Sequence, residues 1–130
     1  MIIDTSVVIA VLRAEPEARN LIKSMLRADS PLKMSAATYV ECGAVIDSAR
    51  DAVASRRFDD LLNRLNMLVE PVTVKQAEIA RQAYRDFGKG SGHPAGLNFG
   101  DCFAYALAKD LQEPLLFIGA DFSSTDIEVA

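Results

Sequence analysis

Two kinds of apolar pattern alternate along the chain. Short, mostly apolar segments typical of buried strands lie at 1–3, 32–34, 67–69, 115–118 and 127–129. Between them, apolar residues recur every three or four positions, which is the spacing of a helix with one buried face. This spacing predicts helices at 5–13, from 15 onward, after Ser35, around 58–65, and at 74–87 and 99–111. Strands that alternate with helices predict an α/β fold, with a mostly parallel central sheet flanked by helices.

Length and composition favour one domain over residues 1–130. The chain has 130 residues, half of them apolar, which suffices for a single hydrophobic core. No apolar run approaches the roughly 20 residues that cross a bilayer, and the first residues lack the features of a signal peptide. The sequence therefore predicts a soluble cytoplasmic protein with no membrane contact. The two cysteines have no metal-finger spacing, so we expect small buried side chains without a disulfide.

The charge balance argues against a general binder of polyanions. The net charge is −4, whereas proteins that bind nucleic acid through charge alone are strongly basic. Basic residues do cluster locally, around 50–64 and 75–89, but solvated helix faces explain most such clusters. Charge alone therefore assigns no partner.

Four acids stand where the predicted topology would bring them together. Asp4 ends the first strand, and Glu41 lies in the helix after the second strand. Asp101 heads the apolar helix at 99–111, and Asp121 follows the strand at 115–118. Open α/β sheets bind ligands outside the carboxyl ends of their strands, so we expect these four side chains to share one site.

Each acid taken singly also has a purely structural interpretation. Asp4 would cap the first helix, and Glu41 would complete a capping box with Thr38. Asp101 would neutralise a helix N-terminus, and Asp121 would shape a turn. Glu41 and Asp101 nonetheless lie in strongly apolar helices, where capping explains an acid less well.

Taken together, the four acids favour a cation site. Their immediate segments contain no Lys or Arg, so converging carboxylates would repel one another unless a cation lay between them. Hard divalent ions prefer such all-oxygen ligands, whereas a lone His93 offers no zinc site. The glycine-rich segment GKGSGHPAGLN lacks the Lys-Ser or Lys-Thr of a P-loop, and no GxSxG elbow is present. Of the site chemistries considered, only a magnesium-type reaction at a phosphate group is left.

Four segments, namely MIIDTS, SAATYVECGAV, LNFGDCFAYALA and PLLFIGADFSSTDI, carry a resemblance to a known family. In order, spacing and context the chain resembles PIN-domain ribonucleases, specifically the VapC toxins of type II toxin–antitoxin pairs, over essentially its whole length. The resemblance implies a PIN-like three-layer sandwich. It also implies catalytic, metal-binding acids at Asp4, Glu41, Asp101 and Asp121, with Thr5 or Ser6 as a supporting hydroxyl.

The resemblance further implies an activity and its partners. The implied activity is that of an endoribonuclease that hydrolyses RNA phosphodiester bonds and depends on Mg²⁺ or Mn²⁺. The implied partners are a cognate VapB-type antitoxin, which inhibits the enzyme, and a second copy of the chain in a homodimer. One departure concerns the last motif. Many relatives have Asn or Asp where this chain has Ala120, which weakens the assignment of Asp121 and leaves Asp126 as the alternative fourth acid.

Three other functions fit parts of the pattern. A phosphatase of the haloacid dehalogenase type also places an aspartate after a buried strand, but its second acid would stand at Ser6. A phospho-acceptor receiver module needs an N-terminal acidic pair that the chain lacks. A catalytically inactive PIN module that acts only through its partner is the third alternative, and Ala120 is its one indication.

Overall fold

A computed structural model describes the whole chain, from Met1 to Ala130. Its elements, in chain order, are β1 (Ile2–Ile3), α1 (Thr5–Leu12), α2 (Ala18–Leu26), β2 (Lys33–Ser35), α3 (Ala36–Asp47), α4 (Ala52–Arg64), β3 (Leu68–Glu70), α5 (Val74–Phe87), α6 (Asp101–Leu111) and β4 (Leu115–Leu116), followed by a short 3₁₀ turn (Phe122–Ser124). The four strands form one parallel sheet in the order β3-β2-β1-β4. The predicted α/β class is confirmed.

The central strand β1 separates two hydrophobic cores. Ile2 pairs with Lys33 of β2 and Leu115 of β4, and its side chain faces the core formed with α5 and α6. Ile3 points the opposite way, into the core formed with α1, α2, α3 and α4. Since successive side chains of a strand face opposite sides, a helix layer covers each face of the sheet. This is the three-layer sandwich that the resemblance implied.

Side chains at the helix starts explain where several helices begin. Asp4, Ser35, Asp51 and Thr73 each accept a hydrogen bond from a backbone amide in the first turn of the helix that follows. Such caps satisfy amides that have no partner within the helix. They account for the agreement between predicted and observed starts of α1 and α5.

Several predicted boundaries differ from the structure. The strand predicted at 127–129 is wrong, because this segment makes only one isolated bridge, between Val129 and Leu115. The strand predicted at 115–118 ends at Leu116. The helix predicted from residue 99 begins at Asp101 and leaves Phe99 exposed. In the two strand segments the apolar pattern extends beyond the backbone pairing, because apolar residues such as Ile127 pack without forming ladder hydrogen bonds.

The glycine-rich segment forms a closed loop between α5 and α6. Gly88 and Leu97 form an isolated parallel bridge, and the Leu97 amide donates to the carbonyl of Phe87 at 2.9 Å. His93 is half-buried against Phe87 and accepts a bond from the Ala95 amide through Nδ1 at 3.1 Å. The two ends of the loop are therefore held together before α6 begins.

Two expectations from composition can be compared with the structure. Both cysteines are buried and unpaired, as expected, and burial raises the pKa of the Cys42 thiol to about 12. None of the helices is both long and apolar enough to pass through a bilayer.

Candidate active site

An open cavity of about 400 Å³ lies beside the carboxyl ends of β1 and β4. Its lining residues are Asp4, Thr5, Ser6, Ile9, Glu15, Glu41, Val45, Asn98, Asp101, Ile118, Asp121 and Phe122. All four acids that the sequence places together line this cavity, and none of the lining residues is Lys, Arg or His. We refer to it as the acidic cavity.

Asp4 is both a helix cap and a cavity acid. Its carboxylate is only 5 % exposed, and Oδ2 accepts bonds from the Ser6 amide at 3.0 Å and the Ser6 hydroxyl at 2.6 Å. Burial raises the pKa of Asp4 despite these hydrogen bonds. Ser6 Oγ also accepts from the Ile118 amide at 3.0 Å, so one hydroxyl joins Asp4 to the segment after β4. Capping thus uses one carboxylate oxygen.

Asp101 forms a reciprocal pair with Asn98. The Asn98 amide donates to Asp101 Oδ2 and the Asp101 amide donates to Asn98 Oδ1, each at 2.9 Å. Burial, followed by the nearby charges of Asp4, Asp121 and Glu41, raises the pKa of Asp101 to about 6, while the Asn98 amide opposes the rise. The three neighbouring charges that act on Asp101 are those of the other predicted acids.

Glu41 is not part of a capping box. Ser35 caps α3 by accepting from the Ala37 amide at 3.2 Å, so the interpretation that pairs Glu41 with Thr38 is wrong. Burial raises the pKa of the half-buried Glu41, and the charge of Asp4 adds to the rise. Thr5 Oγ1 is buried without a well-formed hydrogen bond, yet its proximity lowers the pKa of Glu41.

The structure separates Asp121 from its alternative, Asp126. Asp121 immediately precedes the 3₁₀ turn, and its exposed side chain lines the acidic cavity. Asp126 does not line the cavity, because it accepts bonds from the Tyr105 hydroxyl at 2.5 Å and from Lys109 Nζ at 2.9 Å. Of the two, only Asp121 joins the other three acids.

Glu15 is a lining acid that sequence reasoning missed. It lies just beyond α1, where Ala14 adopts a left-handed conformation with φ of 52°, and the Glu15 amide donates to the Ala10 carbonyl at 3.0 Å. The chain therefore folds back toward the cavity. Neither an apolar context nor a motif marks Glu15, so the sequence contains no signal for it.

The donor set fits a hard divalent cation in its chemistry. All the acidic ligand atoms are carboxylate oxygens, and no cationic lining side chain neutralises them. Asp4 and Asp101 each use one oxygen for backbone or hydroxyl hydrogen bonds and keep the other without a protein donor. No group of three or more His, Cys, Asp or Glu side chains is arranged to hold a metal ion as it stands. A bound cation would therefore have to draw the carboxylates closer together.

Comparison with known proteins shows relatives that match the whole chain. The family model of the PIN domain matches residues 1–128. The chain is similar to the ribonuclease VapC28 of Mycobacterium tuberculosis, with 55 % identity over 130 residues that cover 100 % of this chain and 97 % of the relative. It is similar to the VapC ribonuclease Mb0625 of Mycobacterium bovis with the same identity and coverage.

Solved structures share the fold at low sequence identity. The crystal structure of VapC20 from Mycobacterium tuberculosis, described as a toxin that cleaves the sarcin-ricin loop, superposes with a TM-score of 0.76 at 14 % identity, covering 99 % of this chain and 97 % of that one. A toxin–antitoxin complex from Klebsiella pneumoniae superposes with a TM-score of 0.74 at 17 % identity, covering 99 % and 95 %. At these identities the likeness concerns the fold alone.

Proposed function

The chain belongs to the PIN domain family, among the VapC ribonucleases, and from that premise we propose that it is the toxic endoribonuclease of a toxin–antitoxin pair. It hydrolyses phosphodiester bonds of RNA, requires Mg²⁺ or Mn²⁺, and acts in the cytoplasm. The observation that carries the proposal is the acidic cavity, in which converging carboxylates lack any protein cation.

Asp4, Glu41, Asp101 and Asp121 are the residues that would hold the cation. The chemistry that a divalent ion would supply there is activation of a water and stabilisation of negative charge on the phosphate and the leaving oxygen. Ser6 and Asn98 hold Asp4 and Asp101 in fixed orientations, which leaves one oxygen of each carboxylate directed to this task. The chain needs no nucleophile of its own, and both cysteines are buried away from such a role.

An RNA cleavage assay tests this function. Purified protein is incubated with total RNA in Mg²⁺, in Mn²⁺ and in chelator, and we expect cleavage only with the metals. p-Nitrophenyl phosphate serves as the comparison substrate, because a phosphatase of the haloacid dehalogenase type would hydrolyse it. Metal-dependent hydrolysis of the monoester with intact RNA would favour the phosphatase, and inactivity on both would favour an inactive PIN module.

A VapB-type antitoxin is the proposed partner, and an apolar groove supports this assignment. The groove has a volume of about 180 Å³ and is lined by Leu12, Arg13, Val45, Ile46, Ala49, Ala54 and Arg57. Val45 also lines the acidic cavity, so the two depressions are contiguous. An antitoxin segment that fills the groove would reach the carboxylates with an Arg or Lys, whose cationic head can bind carboxylates in place of metal.

The antitoxin proposal has its own test. Replacing the inserted Arg or Lys of the antitoxin with Ala should restore RNA cleavage more than it weakens binding, because apolar contacts in the groove would persist. Cleavage and affinity are measured on the same complex. A substituted antitoxin that still inhibits fully would contradict the insertion of a basic side chain into the cavity.

We also propose that the protein forms a homodimer. A second apolar cavity of about 260 Å³, between α5 and α6, exposes Tyr84 and Phe99 beside Arg81 and supports a contact between copies. Light scattering after size exclusion should report twice the mass of one chain. A single-chain mass over the micromolar concentration range would contradict the dimer.

A further inference from the structure

Gly100 stands immediately before α6 in a conformation that does not require glycine. Its φ of −64° and ψ of −40° are ordinary helical values that any L-residue adopts. A Cβ atom on residue 100 would nevertheless lie 2.6 Å from Cδ and 2.7 Å from Oε1 of Glu41, with Oε2 closer still. The space next to Gly100 is therefore occupied by the carboxylate of another helix.

This contact brings an acid of α3 to the start of α6. Glu41 and Asp101 both line the acidic cavity, and Asp101 is the residue that follows Gly100. A helix N-terminus favours negative charge, which suits a carboxylate placed against it. The missing side chain at position 100 is what leaves room for Glu41 to lie there.

We propose that Gly100 is a positioning residue for the acidic cavity, because it allows the Glu41 carboxylate to lie against the start of α6 beside Asp101. The inference rests on the proposed metal-dependent function. Any side chain at position 100 displaces the carboxylate and weakens the binding of a divalent cation. Gly100 itself contacts neither cation nor RNA.

The displacement affects the position of Glu41 more than the stability of the fold. The atoms that a Cβ would meet are the end of a flexible side chain, and Glu41 can rotate away from them. The helical φ and ψ of Gly100 also suit alanine without backbone strain. The Gly100→Ala protein should therefore stay folded and lose cation affinity, which separates a positioning role from a structural one.

The test measures Mn²⁺ binding without RNA, by electron paramagnetic resonance of the free ion. We expect Gly100→Ala to weaken binding by about 10- to 100-fold, the range typical of residues that orient metal ligands. Gly43→Ala is the matched control, because it lies on the same helix as Glu41 and a Cβ there would meet only Asp47 and Phe58, at 3.8 and 4.0 Å. This control should bind Mn²⁺ like the wild type.

A second substitution tests whether the effect passes through Glu41. Glu41→Asp shortens the side chain by one methylene, so it withdraws the carboxylate and also removes the clash with a Cβ at position 100. The double variant Glu41→Asp/Gly100→Ala should lose Mn²⁺ affinity and RNA cleavage by a smaller factor than the product of the factors lost in the two single variants. Independent losses that multiply would contradict the proposal.

The outcomes separate this inference from the function on which it rests. Absence of Mn²⁺ binding by the wild type would overturn the proposed metal dependence. Wild-type binding that Gly100→Ala retains in full, or a Gly100→Ala protein that fails to fold, would overturn the positioning role alone. A crystal structure of the Gly100→Ala protein gives a direct check, because the Glu41 carboxylate should have left its place beside α6.

Discussion

Carboxylates lie in the acidic cavity and also near the C-terminal half of α6, and their electrostatic surroundings are opposite. In the cavity, burial raises the pKa of Asp4 and Glu41, and raises that of Asp101 to about 6. No Lys, Arg or His lines the cavity to offset this effect. The ionised forms of these three acids are thus disfavoured.

Near the C-terminal half of α6, Asp110 and Asp126 each have a lysine beside them. Lys75 Nζ lies 2.6 Å from Asp110 and lowers the pKa of that carboxyl. Asp126 accepts hydrogen bonds from Tyr105 and Lys109. Both bonds lower the pKa of Asp126, and the bond from Tyr105 has the larger effect. These acids serve the fold, because their charges are satisfied by the protein itself.

The difference indicates where the protein needs a partner from outside. Buried charges without counter-ions destabilise a fold, so a chain keeps them only where something else neutralises them. The chain places lysines next to Asp110 and Asp126 but none in the acidic cavity. A divalent cation, or the basic side chain of an antitoxin, would complete the cavity in the same way.

The largest expected effect distinguishes the two groups by activity. Asp4→Asn or Asp101→Asn should reduce RNA cleavage by more than about 100-fold, beyond the loss typical of residues that only orient metal ligands. Circular dichroism should report a retained fold for both variants. Asp110→Asn is the matched control, because it removes a carboxylate that lies outside the cavity, and it should cleave like the wild type. Comparable activity in all three variants would refute the site.

Cation binding should stabilise the protein through the cavity alone. At a free Mn²⁺ concentration 100 times the Kd, binding adds about 2.7 kcal/mol to the free energy of unfolding. The melting temperature of the wild type should therefore rise with Mn²⁺. Asp110→Asn should keep this rise, whereas Asp101→Asn should lose most of it. An equal rise in both variants would place the ion elsewhere.

The sequence alone could predict the general fold and the grouping of the acids, because both follow from patterns local to the chain. The helix at 74–87 was predicted at its observed bounds, since a Thr73 cap and a regular apolar spacing agree there. The family resemblance is confirmed over residues 1–128. The strand at 127–129 was wrong, since apolar character does not distinguish a packed segment from a paired one.

Details of the site depend on contacts between distant segments, which a local pattern does not contain. The choice between Asp121 and Asp126 follows from the positions of Tyr105 and Lys109 on α6. The space beside Gly100 is defined by Glu41 of another helix. Neither relation has a signature along the chain.

A smaller effect concerns the stability that Asp126 contributes. Asp126→Ala should lower the free energy of unfolding by about 1–2 kcal/mol, because the buried Tyr105 hydroxyl loses its acceptor. RNA cleavage should not change. Asp126→Asn keeps an acceptor oxygen and should lose less stability.

The stability that Asp126 contributes should also depend on pH. Because the pKa of Asp126 is lowered in the folded protein, this contribution is present above the ordinary pKa of Asp and is lost as the pH falls through the lowered pKa. A loss of RNA cleavage in Asp126→Ala would contradict this structural role and indicate that Asp126 takes part in the active site.

The smallest expected effect is a substitution that stabilises the protein, whereas most substitutions destabilise it. The pKa of Asp101 is about 6 in the folded protein and 3.8 in the reference state, so the folded protein holds a proton between these values that the unfolded chain has released. Stability without metal therefore falls as the pH rises toward 6 and stays low above it.

Asn at position 101 cannot ionise, yet its oxygen can still accept the Asn98 amide. In chelator at pH 7.5, Asp101→Asn should therefore be more stable than the wild type by about 1 kcal/mol, less than the full pKa shift implies, because solvent screens a partly exposed carboxylate. Thermal melts should show the advantage shrinking as the pH falls from about 6 and vanishing well below pH 3.8, where the wild-type Asp101 is protonated in both the folded and the unfolded state. A variant that is less stable at pH 7.5 in chelator would mean that the capping role of Asp101 outweighs the repulsion among the cavity acids.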